Sequence, residues 1–175
     1  MDTLQAIHTR RSIRQYRDEP VDEAVIKELL RAAMSAPSAM DEQPWHFVVI
    51  TESDLLRKIP EFHAGADAAK TCRAGILVCH EPALEKIGDY WVQDLSAATQ
   101  NLLLAAHAQG LGAIWIGGYP VEPFMEGFRE LVSLPETLIP LAFVALGHPA
   151  EDLPERDTFR EDRIHRPGGW GQAAT

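Results

Sequence analysis

Short polar stretches at the start of the chain give way to apolar positions spaced for helices and strands. Asp2 can cap a first short helix, with Gln5 three residues on as a partial capping box. Asp22 can cap a second, with Glu23 in its first turn, and Val25, Ile26, Leu29, Leu30 and Ala33 form its apolar stripe. Pro37 predicts the end of that helix, because the residue before a proline avoids helical dihedrals. Residues 46–50 are apolar and β-branched, which predicts a buried strand. Residues 52–59 read as a helix stopped by Pro60, and 64–70 as a small-residue stretch whose helicity Gly65 weakens. A second buried strand falls at 75–79.

The longest helical pattern runs from 90 to 109. Trp91, Leu95, Ala98, Leu102 and Ala105 share one face, while Leu103, Leu104 and Ala106 spread apolar surface around it. Such a helix is buried on most sides, and Gly110 supplies its C-terminal stop. A strand at 113–116, a helix at 123–132 and a third core strand at 138–146, interrupted by Pro140, complete the pattern. From about 148 to 175 the chain is rich in proline, glycine and charge, which predicts an extended arm over the surface or over a partner. Strands and helices mixed around a central apolar helix predict an α+β domain. With no linker or repeat, residues 1–175 read as one domain.

Composition narrows the partners. At 46% hydrophobic the chain can bury a core, and a formal charge of −10 argues against nucleic acid or an anionic membrane surface. No apolar run approaches the ~18–20 residues of a membrane span. Asp2 follows Met1 with no apolar leader region after it, and Asp18 and Glu19 speak against a mitochondrial presequence, so the cytoplasm is the expected compartment. Cys72 and Cys79 have neither zinc nor dithiol spacing and read as buried free thiols. The seven histidines are scattered, so no metal site is expected. Rossmann, Walker, zincin and nucleophile-elbow motifs are all missing.

Against this acidic background stands a basic knot, Thr9-Arg10-Arg11-Ser12-Ile13-Arg14. Three guanidiniums and a hydroxyl within five positions form an anion receptor, since arginine's planar fork suits phosphate oxygens and ring carbonyls. The same residues also fit a solvated helix end offsetting the helix dipole. Gly117-Gly118 after a strand lets backbone approach a ligand closely, or simply makes a turn. Trp45 reads as a core residue.

Five segments in chain order resemble the FMN-dependent nitroreductase family: the basic knot; Pro37-Ser38-Ala39-Met40-Asp41-Glu42-Gln43-Pro44-Trp45; the helical run 94–106 with Gly110-Leu111-Gly112; Ile116-Gly117-Gly118; and Val144-Ala145-Leu146-Gly147. The resemblance implies a mixed sheet flanked by helices and an intertwined homodimer with FMN at the subunit interface. It implies NADH or NADPH as co-substrate, ping-pong hydride transfer through flavin N5, and a small-molecule acceptor such as a nitroaromatic or quinone. In those terms Arg10 and Ser12 hold the phosphate and ribityl chain, Arg11 also contacts the cofactor, and Arg14 reaches the pyrimidine edge. Ser38, Ala39 and Asp41, in the cofactor-binding stretch with Pro37, Met40 and Gln43, cover the flavin from the second subunit. The loop Ile116-Gly117-Gly118 points a main-chain N–H at N5. A basic residue beyond the last strand completes the phosphate clamp: Arg156 is the positional match, with Arg160 and Arg163 as rivals.

Asp41 departs from the family's usual asparagine. An amide can donate to a flavin carbonyl and a carboxylate can only accept, so Asp41 is left to bond the flavin N3–H, turn toward an arginine, or stay protonated. A substrate channel is expected between Pro60 and Trp91, lined by His63, Tyr90 and Trp91. Other readings of the same residues are a flavin store or sensor without efficient turnover, and a family member with different chemistry such as reductive dehalogenation or azoline oxidation.

Overall fold

The computed structural model describes residues 1–154 and 156–168. Along the chain, α1 (Thr3–Thr9) and α2 (Glu23–Met34) precede β1 (Trp45–Ile50) and α3 (Ser53–Phe62). Then come β2 (Ala74–His80), α4 (Trp91–Ala108), β3 (Gly112–Gly117), α5 (Glu122–Val132) and β4 (Ile139–Gly147). The strands form one sheet in the order β1-β2-β4-β3, every neighbouring pair antiparallel. Among the described residues, parallel pairing enters only through an isolated bridge between Ser12 and Ala113.

Strand alternation divides the core into two layers. Ile76 and Val78 of β2 and Ala142, Val144 and Leu146 of β4 pack with Ile26 and Leu29 of α2 and Leu95, Ala98 and Leu102 of α4. The intervening Leu77, Cys79, Phe143 and Ala145 pack with Leu56 and Ile59 of α3 and Phe128 of α5. Because β2 and β4 are covered on both faces, their sequences are continuously apolar rather than alternating. Gly75 is required by this packing: a Cβ there would sit 2.0 Å from Cζ of Phe143.

Several expectations are corrected here. β1 is an edge strand, not a buried one: His46 and Val49 face solvent. Helix α3 runs through Pro60 to Phe62. The proline costs one main-chain hydrogen bond near the helix end, and burial of Leu56 and Ile59 outweighs that loss. Helix α2 stops at Met34, before Pro37, where the Ser35 hydroxyl donates to the Arg31 carbonyl at 2.8 Å. Of the 64–70 stretch only Asp67–Lys70 winds, as a 3₁₀ turn. The Asp2 cap forms as its sequence predicts, the carboxylate accepting from Gln5 N–H at 2.8 Å. Beyond Gly147 the described arm is mostly extended, with an antiparallel bridge from Pro149 to Tyr16 and a 3₁₀ turn at Glu161–Arg163. Among the described residues, no helix is long and apolar enough to cross a membrane.

Candidate functional site

The basic knot folds where α1 ends. Its main chain crosses to the sheet, where Ile13 N–H donates to Ala113 O at 3.1 Å and Ser12 bridges Ala113, at the start of β3. Gly112 makes this approach possible, since a Cβ on it would meet Ile13 Cγ2 at 2.7 Å. Glu151 in the arm fixes the turn from the other side, its carboxylate accepting from the main-chain N–H of Arg14 and of Gln15. Arg11 donates to the carbonyl of Pro154. Arg14 donates from its guanidinium to Ser12 O at 3.3 Å.

Together these contacts shape a cavity of about 330 Å³ lined by Arg10, Arg11, Ser12, Arg14 and Arg156, with His8 and Thr158 among the rest. Four guanidiniums at one mouth make a strongly anion-attracting site on an acidic protein. The field is felt nearby: burial and, second, the Arg10 cation hold the His107 imidazole below its ordinary range. Of the three tail arginines weighed from sequence, Arg156 lines this cavity and Arg160 and Arg163 do not.

The segment from Pro37 to Gln43 lies elsewhere. Ala39 N–H donates to Asp94 Oδ1 at 3.1 Å near the start of α4, whereas Thr9, next to Arg10, is hydrogen-bonded to His107 at 2.8 Å near its end. Those two anchor points are roughly 20 Å apart along the helix. No residue of the 37–43 segment lines the arginine cavity. The segment is strained: Met40, Asp41 and Gln43 have φ of 48°, 54° and 50°. Left-handed backbone of this kind in residues other than glycine costs on the order of 1–3 kcal/mol each and gathers at functional sites. Asp41 turns neither to an arginine of its own chain nor away from the loop; its Oδ1 accepts from Gln43 Nε2 at 2.7 Å, and Gln43 N–H donates to Ser38 Oγ at 3.0 Å.

Buried acids underpin that loop. Glu42 Oε1 accepts from the N–H groups of Lys86 and Ile87, both at 2.8 Å. Asp94 and His80 are buried close by, and burial raises the Asp94 pKa while lowering that of His80. Trp91 stacks on the His80 ring at 4.6 Å and meets Tyr119 edge-on at 4.7 Å. Tyr90 is half exposed.

Ile116-Gly117-Gly118 closes β3, at the opposite end from Ser12, about 13 Å along the strand. Ile116 is buried, Gly117 is exposed, and a Cβ on Gly117 would meet nothing within 4 Å. Gly118 N–H donates inward to Leu141 O at 2.8 Å. His63, expected on a channel wall, is instead buried against this turn, with Nε2 2.7 Å from the Gly117 carbonyl. Trp45 is core. Cys72 and Cys79 are buried free thiols whose pKa values burial pushes up to about 12, so they stay protonated and unreactive. Among the described residues, no group of three or more His, Cys, Asp or Glu could hold a metal ion.

Sequence reasoning missed Glu151 and the bond between His63 and Gly117. Neither leaves a local signature, since each joins residues more than fifty positions apart.

A helix-flanked antiparallel sheet with a guanidinium-lined cavity beside its edge strand defines the class as an α+β domain. The chain belongs to the nitroreductase family, whose model matches residues 7–92 and 63–148. It is 53% identical over 165 residues to a protein of Methanothermobacter thermautotrophicus named as a candidate NADH dehydrogenase/NAD(P)H nitroreductase, covering 94% of this chain and 86% of the relative. A solved structure of the same description from Parabacteroides distasonis superposes with a TM-score of 0.91 at 37% identity, covering 95% of this chain and 98% of that one. A candidate nitroreductase of Desulfovibrio desulfuricans, solved in complex with FMN, superposes with a TM-score of 0.77 at 32% identity over 90% of this chain and 93% of that one.

Proposed function

We propose that the chain is an FMN-dependent oxidoreductase that takes hydride from NADH or NADPH and passes it to an organic acceptor, with FMN held between two copies of the chain. The observation that carries this reading is the convergence of Arg10, Arg11, Ser12, Arg14 and Arg156 on one cavity at the start of β3. That donor set fits the phosphate end of a flavin nucleotide, and the outer edge of β3 offers its ring a track toward Gly117. The FMN complex of one relative and the NAD(P)H in the name of another support it.

Bound FMN supplies the hydride chemistry, and the protein supplies binding and electrostatics. Arg10, Arg11 and Ser12 grip the phosphate and ribityl chain, and Arg156 closes from the arm. Arg14 would bring fixed positive charge toward the ring end of bound FMN and so would favour its reduced, anionic form. Gly117 is exposed and has no side chain to hold a ligand off, while its carbonyl is bonded by His63. Asp41 can only accept, so it suits the ring N–H rather than a ring carbonyl.

A second copy completes the site. Pro37, Ser38, Ala39, Met40, Asp41 and Gln43 reach a flavin in the arginine cavity only from the partner, because their own chain holds them toward the far end of α4. Leu4 and Ile7 of α1 and Phe159 and Ile164 of the arm are exposed apolar side chains that such a partner would cover. Acceptors of the nitroaromatic and quinone class would meet the accessible aromatics Trp91 and Tyr119, which pack edge-on at 4.7 Å. The cytoplasm, where NAD(P)H is available and thiols stay reduced, is the compartment this fits.

The test is anaerobic. One equivalent of NADH or NADPH should bleach the flavin absorbance of the loaded protein, and a nitroaromatic or a quinone should restore it. A bound flavin that neither nucleotide reduces would overturn the proposal.

A further inference from the structure

The turn that ends β3 is held by an unusual clamp. Gly117 lies at the end of an edge strand, where main chain tends to fray. Its inner side is tied by the N–H groups of Gly118 and Tyr119, which donate to Leu141 O at 2.8 and 3.0 Å. Its carbonyl is tied by a side chain brought from the end of α3: His63 Nε2 stands 2.7 Å from Gly117 O.

The hydrogen-bond network fixes which imidazole nitrogen carries the proton. Gly65 N–H donates to His63 Nδ1 at 3.1 Å, so Nδ1 is the acceptor. Nε2 must then hold the proton and donate it to Gly117 O. The ring cannot turn away from this geometry. It stacks on Phe124 with centroids 3.8 Å apart, lies tilted against Phe128 at 6.2 Å, and is only 7% exposed. Gly65 leaves the ring its room, since a Cβ there would stand 3.3 Å from Cε1. Through the Gly117–Gly118 peptide the bond continues to Leu141 O, and hydrogen bonds in such a chain polarise one another.

We infer that His63, as a neutral imidazole donating from Nε2, is a positioning residue that sets the orientation of the Gly117 main chain and thereby the reactivity of the ligand edge it faces. The inference rests on the FMN reading for the identity of that ligand, and on the protein's own hydrogen bonds for the clamp. His63 does not itself touch the reacting atoms.

The test uses His63→Phe, which keeps an aromatic filler and removes the donor, and His63→Gln, which keeps a side-chain N–H. Without FMN, amide exchange of Gly118 and Tyr119 should be at least about tenfold faster in His63→Phe than in wild type and should recover in His63→Gln. Nitrogen NMR of wild type should show Nε2 protonated and Nδ1 bare. With FMN loaded, His63→Phe should bind FMN within about threefold of wild type, yet its reduction by NADH or NADPH should slow about tenfold, with partial recovery in His63→Gln. Unchanged exchange and unchanged flavin reduction in folded His63→Phe would reduce His63 to a core filler and overturn the inference. Should His63→Phe fail to fold, the wild-type spectrum decides: a protonated Nε2 with a bare Nδ1 supports the clamp, and a proton on Nδ1 overturns it. Loss of FMN binding by wild type itself would instead sink the functional reading and leave the exchange result standing.

Discussion

At the scale of single residues, glycines separate positions that packing requires from positions that the fold leaves open. A Cβ on Gly75 would strike Phe143, so that glycine is a packing requirement. A Cβ on Gly117 would enter open space, so that glycine is not needed by the fold. Gly117→Ala should therefore leave stability within about 0.5 kcal/mol of wild type while slowing flavin reduction about tenfold or more, read by urea titration and stopped-flow absorbance. Equal reduction rates would mean that the ligand does not approach Gly117. The arginines were legible from sequence because they are adjacent in the chain and stand out in an acidic protein. His63 and Glu151 were not, because their partners are set by tertiary packing alone. Asp41 could be recognised as a departure from its family, but its engagement by Gln43 belongs to the geometry of a strained loop.

At the scale of elements, periodicity predicted what burial decides. Helix α4 and the central strands β2 and β4 carry strong apolar patterns because neighbours surround them, and each formed close to its expected bounds. β1 misled because an apolar edge strand and an apolar core strand look alike in six residues. Pro60 misled because sheet packing of α3 overrides a local stop signal. Two buried groups, His80 at the end of β2, with its Nε2 3.4 Å from Glu85 Oε2, and Asp94 of α4, also have a thermodynamic consequence. Burial lowers the His80 pKa, so below its ordinary value of about 6.5 the unfolded chain binds more protons than the native one, and stability falls as pH drops. Asp94 acts in the opposite sense: its raised pKa means that stability is lost as pH rises through its native titration and regained on acidification. The lowered His80 pKa should therefore make the urea midpoint fall between pH 7.5 and 5.5, and fall less in His80→Gln. Parallel curves for wild type and His80→Gln would contradict this account of His80.

At the scale of the whole molecule, the 37–43 segment and the arginine cavity are anchored toward opposite ends of α4, so the proposed site draws on two chains. One variant lacking the arginines, Arg10→Ala with Arg14→Ala, and one with a disabled covering loop, Ser38→Pro with Asp41→Ala, should each reduce acceptor poorly as homodimers. Unfolded and refolded together, they should regain activity, since a mixed dimer contains one site with both intact halves. Recovery approaching one intact site per mixed dimer is the expected result, and no recovery would place both halves in one chain.

The claim underneath all of this is that the guanidinium cluster at the start of β3 binds the phosphate of FMN. The most direct measurement is an FMN titration of the apo-protein, wild type beside Arg10→Ala, followed by the quenching of flavin fluorescence. One FMN should bind per chain, with affinity about 10- to 100-fold weaker in Arg10→Ala, as loss of a charged hydrogen bond of about 1.5–3 kcal/mol requires. Wild-type protein that takes up no FMN, or an Arg10→Ala variant that binds it just as tightly, would contradict the account.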